Sequence, residues 1–164
     1  MELRGRCWKF GDNIPTDRIV KSELVFRPMA EIVKHVLETC NPDFPLRVKP
    51  GDVIVAGKHF GQSSGRAIAT KAVKATGVSC VIAETFARTF YRNGFEIGMP
   101  LLECPGITAH VNDGDLLMID VDSGAIVNET TNQRFQAKPT PPFLMEMLQA
   151  GGLIPMADRL AGEP

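Results

Sequence analysis

Two adjacent hydroxyls and a guanidinium, Ser63, Ser64 and Arg66, stand among three glycines, Gly57, Gly61 and Gly65. A serine hydroxyl does base or nucleophile chemistry only where its alkoxide is stabilised. An arginine offers a planar pair of N–H donors that grips a carboxylate or phosphate with two parallel hydrogen bonds. The flanks say how these residues are presented. Val53, Ile54 and Val55 form a short β-branched apolar run, which reads as a buried strand. Ile68, Ala69, Ala72 and Val73 recur at helical spacing, and Gly77 is placed to end that helix at C′. Residues 51–77 therefore read as strand, glycine-rich loop and helix. A helix N-terminus adds unpaired N–H groups and a positive dipole end, so the loop is a candidate site for a carboxylate or phosphate. The same residues also suit a plain turn with a cap, and spacing alone does not separate the two. GxxxxGR lacks the Lys and hydroxyl ending of a P-loop, and GxGxxG is absent.

The rest of the chain must position that loop. Residues 1–10 alternate loosely and predict an edge strand. GDNIPTDRIV (11–20) is rich in turn formers and carries a polar cluster, Thr16, Asp17 and Arg18; by itself it reads as a turn with a surface ion pair. After an irregular linker at 21–30, Pro28 suits a first helical position, and Ile32, Val33, Val36 and Leu37 predict two to three turns of amphipathic helix with His35 on its polar face. NPDFP (41–45) breaks that helix. Val78 to Ala83 is a second buried run, completing a right-handed βαβ unit. Thr85 is a plausible N-cap for a helix with Phe86, Ala87, Phe90 and Tyr91 on one face and Arg88 and Arg92 on another; such arginines are usually solvated, although aromatics and arginine also mark interfaces. A turn at Gly98–Pro100 leads into a third strand. From 103 onward, short alternating runs at Ile107–Val111, Leu116–Val121, Ala125–Val127 and Arg134–Ala137, joined by hairpin-type turns, predict antiparallel β structure. Phe143, Leu144, Met147 and Leu148 give a last helix stopped by Gly151–Gly152, and the tail over 155–164 is expected to fray. The fold class is α/β with parallel and antiparallel strands mixed.

At 164 residues the chain is most simply one domain. Hydrophobic residues make up 44% and the net charge is −1, so charge does not point to nucleic acid or an anionic membrane. No apolar run is long enough to span a bilayer, and MELRGRCWKF has no apolar leader core. The default expectation is a soluble cytoplasmic protein. Cys7, Cys40, Cys80 and Cys104 and the three histidines are scattered, with no zinc spacing and no metal site built by this chain alone. Cys80, in VSCVIA, reads as a small buried hydrophobe.

Four stretches in order resemble one family. GDNIPTDRIV, VKPGDVIVAGKHFG, AETFARTFYRNGFEIGMPLL and PPFLMEMLQAGGLI are similar to the opening loop, central strand, FAR-x-FYRN helix and closing helix of the 3-isopropylmalate dehydratase small subunit. This is the swivel domain shared with aconitase and homoaconitase. The resemblance implies a three-layer β/β/α swivelling domain over 1–164 that serves a hydro-lyase of leucine biosynthesis. Such an enzyme removes water from a 2-hydroxy di- or tricarboxylate and usually re-adds it one carbon over. It also implies that this chain binds no cofactor, and that a large-subunit partner carries a 4Fe–4S cluster and completes a heterodimer or heterotetramer that the chain alone cannot replace.

By the same resemblance Ser64 falls on the base, Arg66 on the carboxylate-binding arginine of the loop, and Asp17 on the aspartate of a Thr-Asp pair at the site. Thr16, Ser63, Gly65 and Arg27 are implied as substrate-binding, Arg27 as a match for a second carboxylate-binding arginine. The family reads F-G-x-G-S-S-R-E-H-A where this chain has Phe60-Gly61-Gln62-Ser63-Ser64-Gly65-Arg66-Ala67-Ile68-Ala69. Ser63 stands for a glycine, Gly65 for the second serine, and Ala67–Ile68 for a Glu-His pair. The linker KSELVFRPM (21–29), which sets substrate choice in the family, also departs. A sister dehydratase acting on a methylated malate-type diacid without re-hydration, and a non-catalytic carboxylate-binding module, therefore stay open as readings.

Overall fold

The computed structural model describes residues 1–162. A seven-stranded sheet organises them, in the order β4-β3-β2-β1-β5-β6-β7. In chain order, β1 (Glu2–Lys9) is followed by a single helical turn, α1 (Thr16–Ile19), by α2 (Met29–Ile32) and by α3 (Phe44–Arg47). Then come β2 (Val53–Ala56), α4 (Ile68–Ala75), β3 (Cys80–Ala83), α5 (Arg88–Glu96) and β4 (Leu101–Glu103). The chain ends with β5 (Leu116–Asp120), β6 (Ala125–Asn128), β7 (Gln133–Gln136), α6 (Pro142–Ala150) and α7 (Leu153–Gly162).

Strands β1 to β4 run parallel, while β1–β5, β5–β6 and β6–β7 are antiparallel. The parallel core strands VIVA and CVIA are buried at every position, as expected of strands covered on both faces. The sheet curls until the chain leaving β7 comes back to β4: the Lys138 N–H donates to the Glu103 carbonyl over 2.8 Å.

Several expectations are corrected. β1 is a central strand rather than an edge strand, pairing with β2 on one side and β5 on the other. Gly5 permits this, because a Cβ there would lie 2.0 Å from the Gly51 carbonyl oxygen. The helix expected over 28–37 is short. Pro28 is its N-cap, α2 gives way to a 3-10 turn at Val33–His35, and Leu37 takes φ +56 so that its N–H reaches the Ile19 carbonyl. NPDFP leads into α3 instead of merely ending a helix. Thr85 does not cap α5; its Oγ1 accepts the His59 N–H, and Ala87 is the N-cap. Ile107–Ala109 is a 3-10 turn, not a strand. The tail expected to fray from Pro155 is helical through Gly162, because Gly151 and Gly152, both at positive φ, turn the chain so that Met156 packs on the core; residues 163–164 lie outside the described residues. No helix among the described residues is long and apolar enough to cross a membrane.

Candidate active site in the loop after β2

The loop that leaves the carboxyl end of β2 is bonded along its length to the loop that leaves β1. Gly57 N–H donates to Gly11 O (3.1 Å), Asn13 N–H to Lys58 O (2.7 Å), Gly61 N–H to Ile14 O (2.8 Å) and Thr16 N–H to Gln62 O (2.9 Å). The Asp12 carboxylate accepts the Lys58 N–H at 2.8 Å. This ladder carries Thr16 and Asp17 on one side and Ser64 and Arg66 on the other into one neighbourhood.

An aromatic cluster anchors the base of the loop. Phe60, fully buried, meets Phe90 edge-on at 5.2 Å and Phe86 at 6.2 Å. Its N–H and carbonyl are held by Thr85 O and Ala87 N–H. Gly61 sits above Phe90 at φ +81, where a Cβ would come within 2.3 Å of the ring. At the far end, the Asn93 side-chain amide donates to Gly65 O at 3.2 Å. Ser63 takes φ +86, a left-handed turn uncommon for a residue with a Cβ. That turn directs the chain from the ladder into α4.

A cleft of about 210 Å³ opens between these elements, walled by Thr16, Asp17, Ser64 and Arg66, by Val20, Ser22 and Val25, and by Ile68 and Ala69 at the start of α4. It lies beyond the carboxyl end of β2, the end where open parallel sheets receive ligands. The Ser64 Oγ accepts the backbone N–H of Arg66 at 3.2 Å. A donor fixed on that oxygen favours its deprotonated form over its neutral one. The first-turn N–H groups of α4 have no intrahelical acceptor and add to the positive character of the same wall. Arg66 is exposed and has no ion-pair partner among the described residues, so its guanidinium is available to a carboxylate.

Of the residues singled out from the sequence, Thr16 (buried), Asp17, Ser64 and Arg66 come together on the cleft. Ser63, Gly65 and Arg27 do not line it. Arg27 is exposed beside Phe26, itself 97% exposed, at the tip of the 21–28 segment. Arg18 does not pair with Asp17; it donates to the Thr39 carbonyl at 3.3 Å. Missed from sequence were Val20, Ile68 and Ala69 as wall residues, while Ser22 and Val25 lie in the 21–29 linker that the resemblance ties to substrate choice. The apolar ones carry only the ordinary signal of core. Lys21, between two wall residues, is held by Glu38 at 2.5 Å, and Glu38 also meets His35 Nδ1 at 2.8 Å. The Lys21 hydrogen bond, followed by that of His35, holds the Glu38 carboxyl below the usual range, and Glu38 in turn holds the Lys21 ammonium above its own.

No group of three or more metal-ligating side chains occurs among the described residues. The four cysteines are free. Burial pushes the thiols of Cys7, Cys80 and Cys104 up.

Comparison with known proteins agrees with the geometry. Residues 16–105 match the aconitase C-terminal domain family. The isopropylmalate/citramalate isomerase small subunit of Methanocaldococcus jannaschii is 46% identical over 162 residues, covering 98% of this chain and 96% of that one. The 3-isopropylmalate dehydratase small subunit of Thermodesulfovibrio yellowstonii is 46% identical over 155 residues, 94% and 92% of the two chains. The crystal structure of a 3-isopropylmalate dehydratase chain from Methanocaldococcus jannaschii superposes with a TM-score of 0.93 at 36% identity, covering 98% of this chain and 96% of that one. The loop ladder, the curled mixed sheet and these likenesses together place the chain in the 3-isopropylmalate dehydratase small-subunit family, with the aconitase C-terminal domain fold.

Proposed function

We propose that this chain is the small subunit of a heteromeric hydro-lyase that dehydrates or isomerises a 2-hydroxy diacid. Ser64 acts as the base, Arg66 as the carboxylate anchor, and Asp17 as a polar neighbour on the facing wall. The observation that supports this best is the sharing of one small cleft by Ser64, Arg66 and Asp17, with the Ser64 oxygen already receiving an N–H. A proton next to a carboxylate is weakly acidic, and its removal places a second negative charge on the acid. Fixed donors in a sheltered site stabilise that charge. Arg66 and the N–H groups opening α4 are such donors. Ser64, its alkoxide favoured by the Arg66 N–H, takes the proton. Arg66 holds the carboxylate in two-point contact, fixing which carbon faces the serine.

The leaving hydroxide requires a Lewis acid, which a 4Fe–4S cluster on a large-subunit partner would supply. The four cysteines of this chain are scattered, and no three metal-ligating side chains gather among the described residues, so they do not fit that role. As to substrate, the wall has a single cation, Arg66, against four apolar side chains, Val20, Val25, Ile68 and Ala69. That balance favours a diacid with a small aliphatic branch over a tricarboxylate, since a further carboxylate would face hydrocarbon. Ile68 adds a branched apolar group where the family pattern has histidine.

The test is reconstitution of the chain with a cluster-bearing large subunit encoded in the same genome, followed by assay of isopropylmalate, citramalate, dimethylmalate and citrate. Turnover of the branched malates but not citrate is expected, with none from either chain alone. Turnover by this chain without a partner, or of citrate only, would refute the reading. Product analysis separates an isomerase from a dehydratase that stops at the alkene.

A further inference from the structure

A second cleft, wider than the one at Ser64, has no part in this chemistry. It measures about 590 Å³ and lies at the opposite end of β2 from the Ser64 loop, against Trp8, Asp52, Arg47, Lys49, Leu46 and Asp113. We propose that it is a second binding site, for a small zwitterion of the α-amino-acid type with an apolar side chain, because it sets fixed carboxylates and free cations around an indole without pairing them to each other.

Three basic and three acidic side chains line the cleft. None of them takes part in an ion pair among the described residues. Two of the carboxylates are fixed. Asp52 Oδ2 accepts Trp8 Nε1–H and the Lys49 N–H, each at 2.9 Å, and Asp113 Oδ1 accepts the Lys9 N–H at 2.8 Å. Arg47 and Lys49 supply the cationic half. A ligand carrying only negative charge would meet Asp52 and Asp113, and one carrying only positive charge would meet Arg47 and Lys49. A molecule with both signs a few ångströms apart satisfies the two sets together. The apolar part has its counterpart as well. Trp8 is half-buried and braced edge-on by Phe44 at 5.3 Å, and Leu46 on the lip is 79% exposed. The volume lies in the range of small-molecule sites, with six charged side chains set beside Trp8, Leu46 and Val48. The diacid proposed for the Ser64 cleft would meet Asp43, Asp52 and Asp113 here, so the two sites are assigned different ligand classes.

Trp8 is the only tryptophan in the chain, so its emission reports this cleft directly. The full chain is titrated with L-leucine and with L-methionine, and in parallel with N-acetyl-L-leucine and L-leucinamide, which each lack one of the two charges. The expected result is a saturable change for the free amino acids, with Kd on the order of 1 mM, and at least about tenfold weaker binding of both derivatives, the cost of about one charge-assisted contact. Arg47→Ala, and Asp113→Asn, which keeps an acceptor for the Lys9 N–H, should each weaken binding about tenfold with unchanged melting temperature. No saturable change up to about 50 mM, an equal response to the derivatives, or indifference to both substitutions would overturn the proposal. So would a change in Trp8 emission that follows protein concentration alone together with dimerisation in sedimentation, which would give the cleft to a second copy. The titration needs no partner subunit and no cluster, so its failure leaves the hydro-lyase reading untouched.

Discussion

The backbone N–H of Arg66 donates to the hydroxyl oxygen of Ser64 across 3.2 Å. One residue thus links the guanidinium and the hydroxyl assigned to the chemistry. Any change in the backbone at 64–66 alters both together.

Ser64→Ala removes the proton acceptor and leaves the ladder to Gly11–Thr16 intact. In the reconstituted complex, kcat should fall on the order of 10²–10⁴-fold, with the melting temperature within about 1 °C of the parent. Steady-state kinetics beside a thermal melt checks this; near-normal kcat would remove Ser64 from the mechanism.

Arg66→Lys keeps the charge and loses the planar two-point contact. Because the side chain is exposed and has no ion-pair partner among the described residues, folding should be unaffected, while kcat/KM drops roughly tenfold to a hundredfold. Unchanged kinetics would show that another group anchors the carboxylate.

Gly61→Ala tests the seating of the loop rather than its chemistry. The new Cβ would lie 2.3 Å from the Phe90 ring at a backbone φ of +81. Both the overlap and the left-handed backbone oppose it, and a loss of about 2 kcal/mol or more is expected. Chemical denaturation measures it. Gly65→Ser is the contrasting case: its Cβ would meet only the Thr89 methyl, at 3.2 Å, and φ there is not positive, so the chain should keep its stability.

Glu38 gives the Lys21 segment a pH dependence. The Lys21 ammonium beside it lowers the carboxyl's folded pKa below the unfolded value. The native state then favours the ionised form, so this contribution is present above the unfolded carboxyl's titration range and fades as pH falls through the lower folded value. The raised Lys21 ammonium works in the opposite sense, its contribution being lost only as pH rises through its own elevated value. Glu38→Gln should therefore be less stable than the parent at neutral pH, with the difference vanishing in acid. Parallel denaturation curves across pH would show it; a constant difference would assign the effect to packing.

Much of this could be read before any coordinates. The β-branched run at 53–55, the helical spacing from Ile68 and the C′ glycine at Gly77 each report a local preference that the fold respects. The motif pattern points to Ser64, Arg66 and Asp17, and the three line one cleft. What escaped the sequence was decided by distant partners. Nothing within residues 1–10 says that β1 is paired on both sides, or that Gly5 lies against the backbone at Gly51. Helical spacing at 32–37 gave no sign that the Leu37 amide would be drawn to Ile19. Thr85 has the chemistry of a cap, but the His59 amide claimed its hydroxyl first. The apolar cleft residues Val20 and Ile68 look like core in one dimension because each sits in a run with core spacing.

The ladder between residues 11–16 and 57–62 has one further bearing. Four backbone bonds stitch the two supports of the Ser64 cleft together, so Thr16 on one side and Ser64 on the other are tied to a common frame. In the two-subunit enzyme proposed above, access to the mouth would be set by the large-subunit surface that comes to rest over it. The pace of the full catalytic cycle would then depend on how that cover lifts as much as on the proton transfer beneath it.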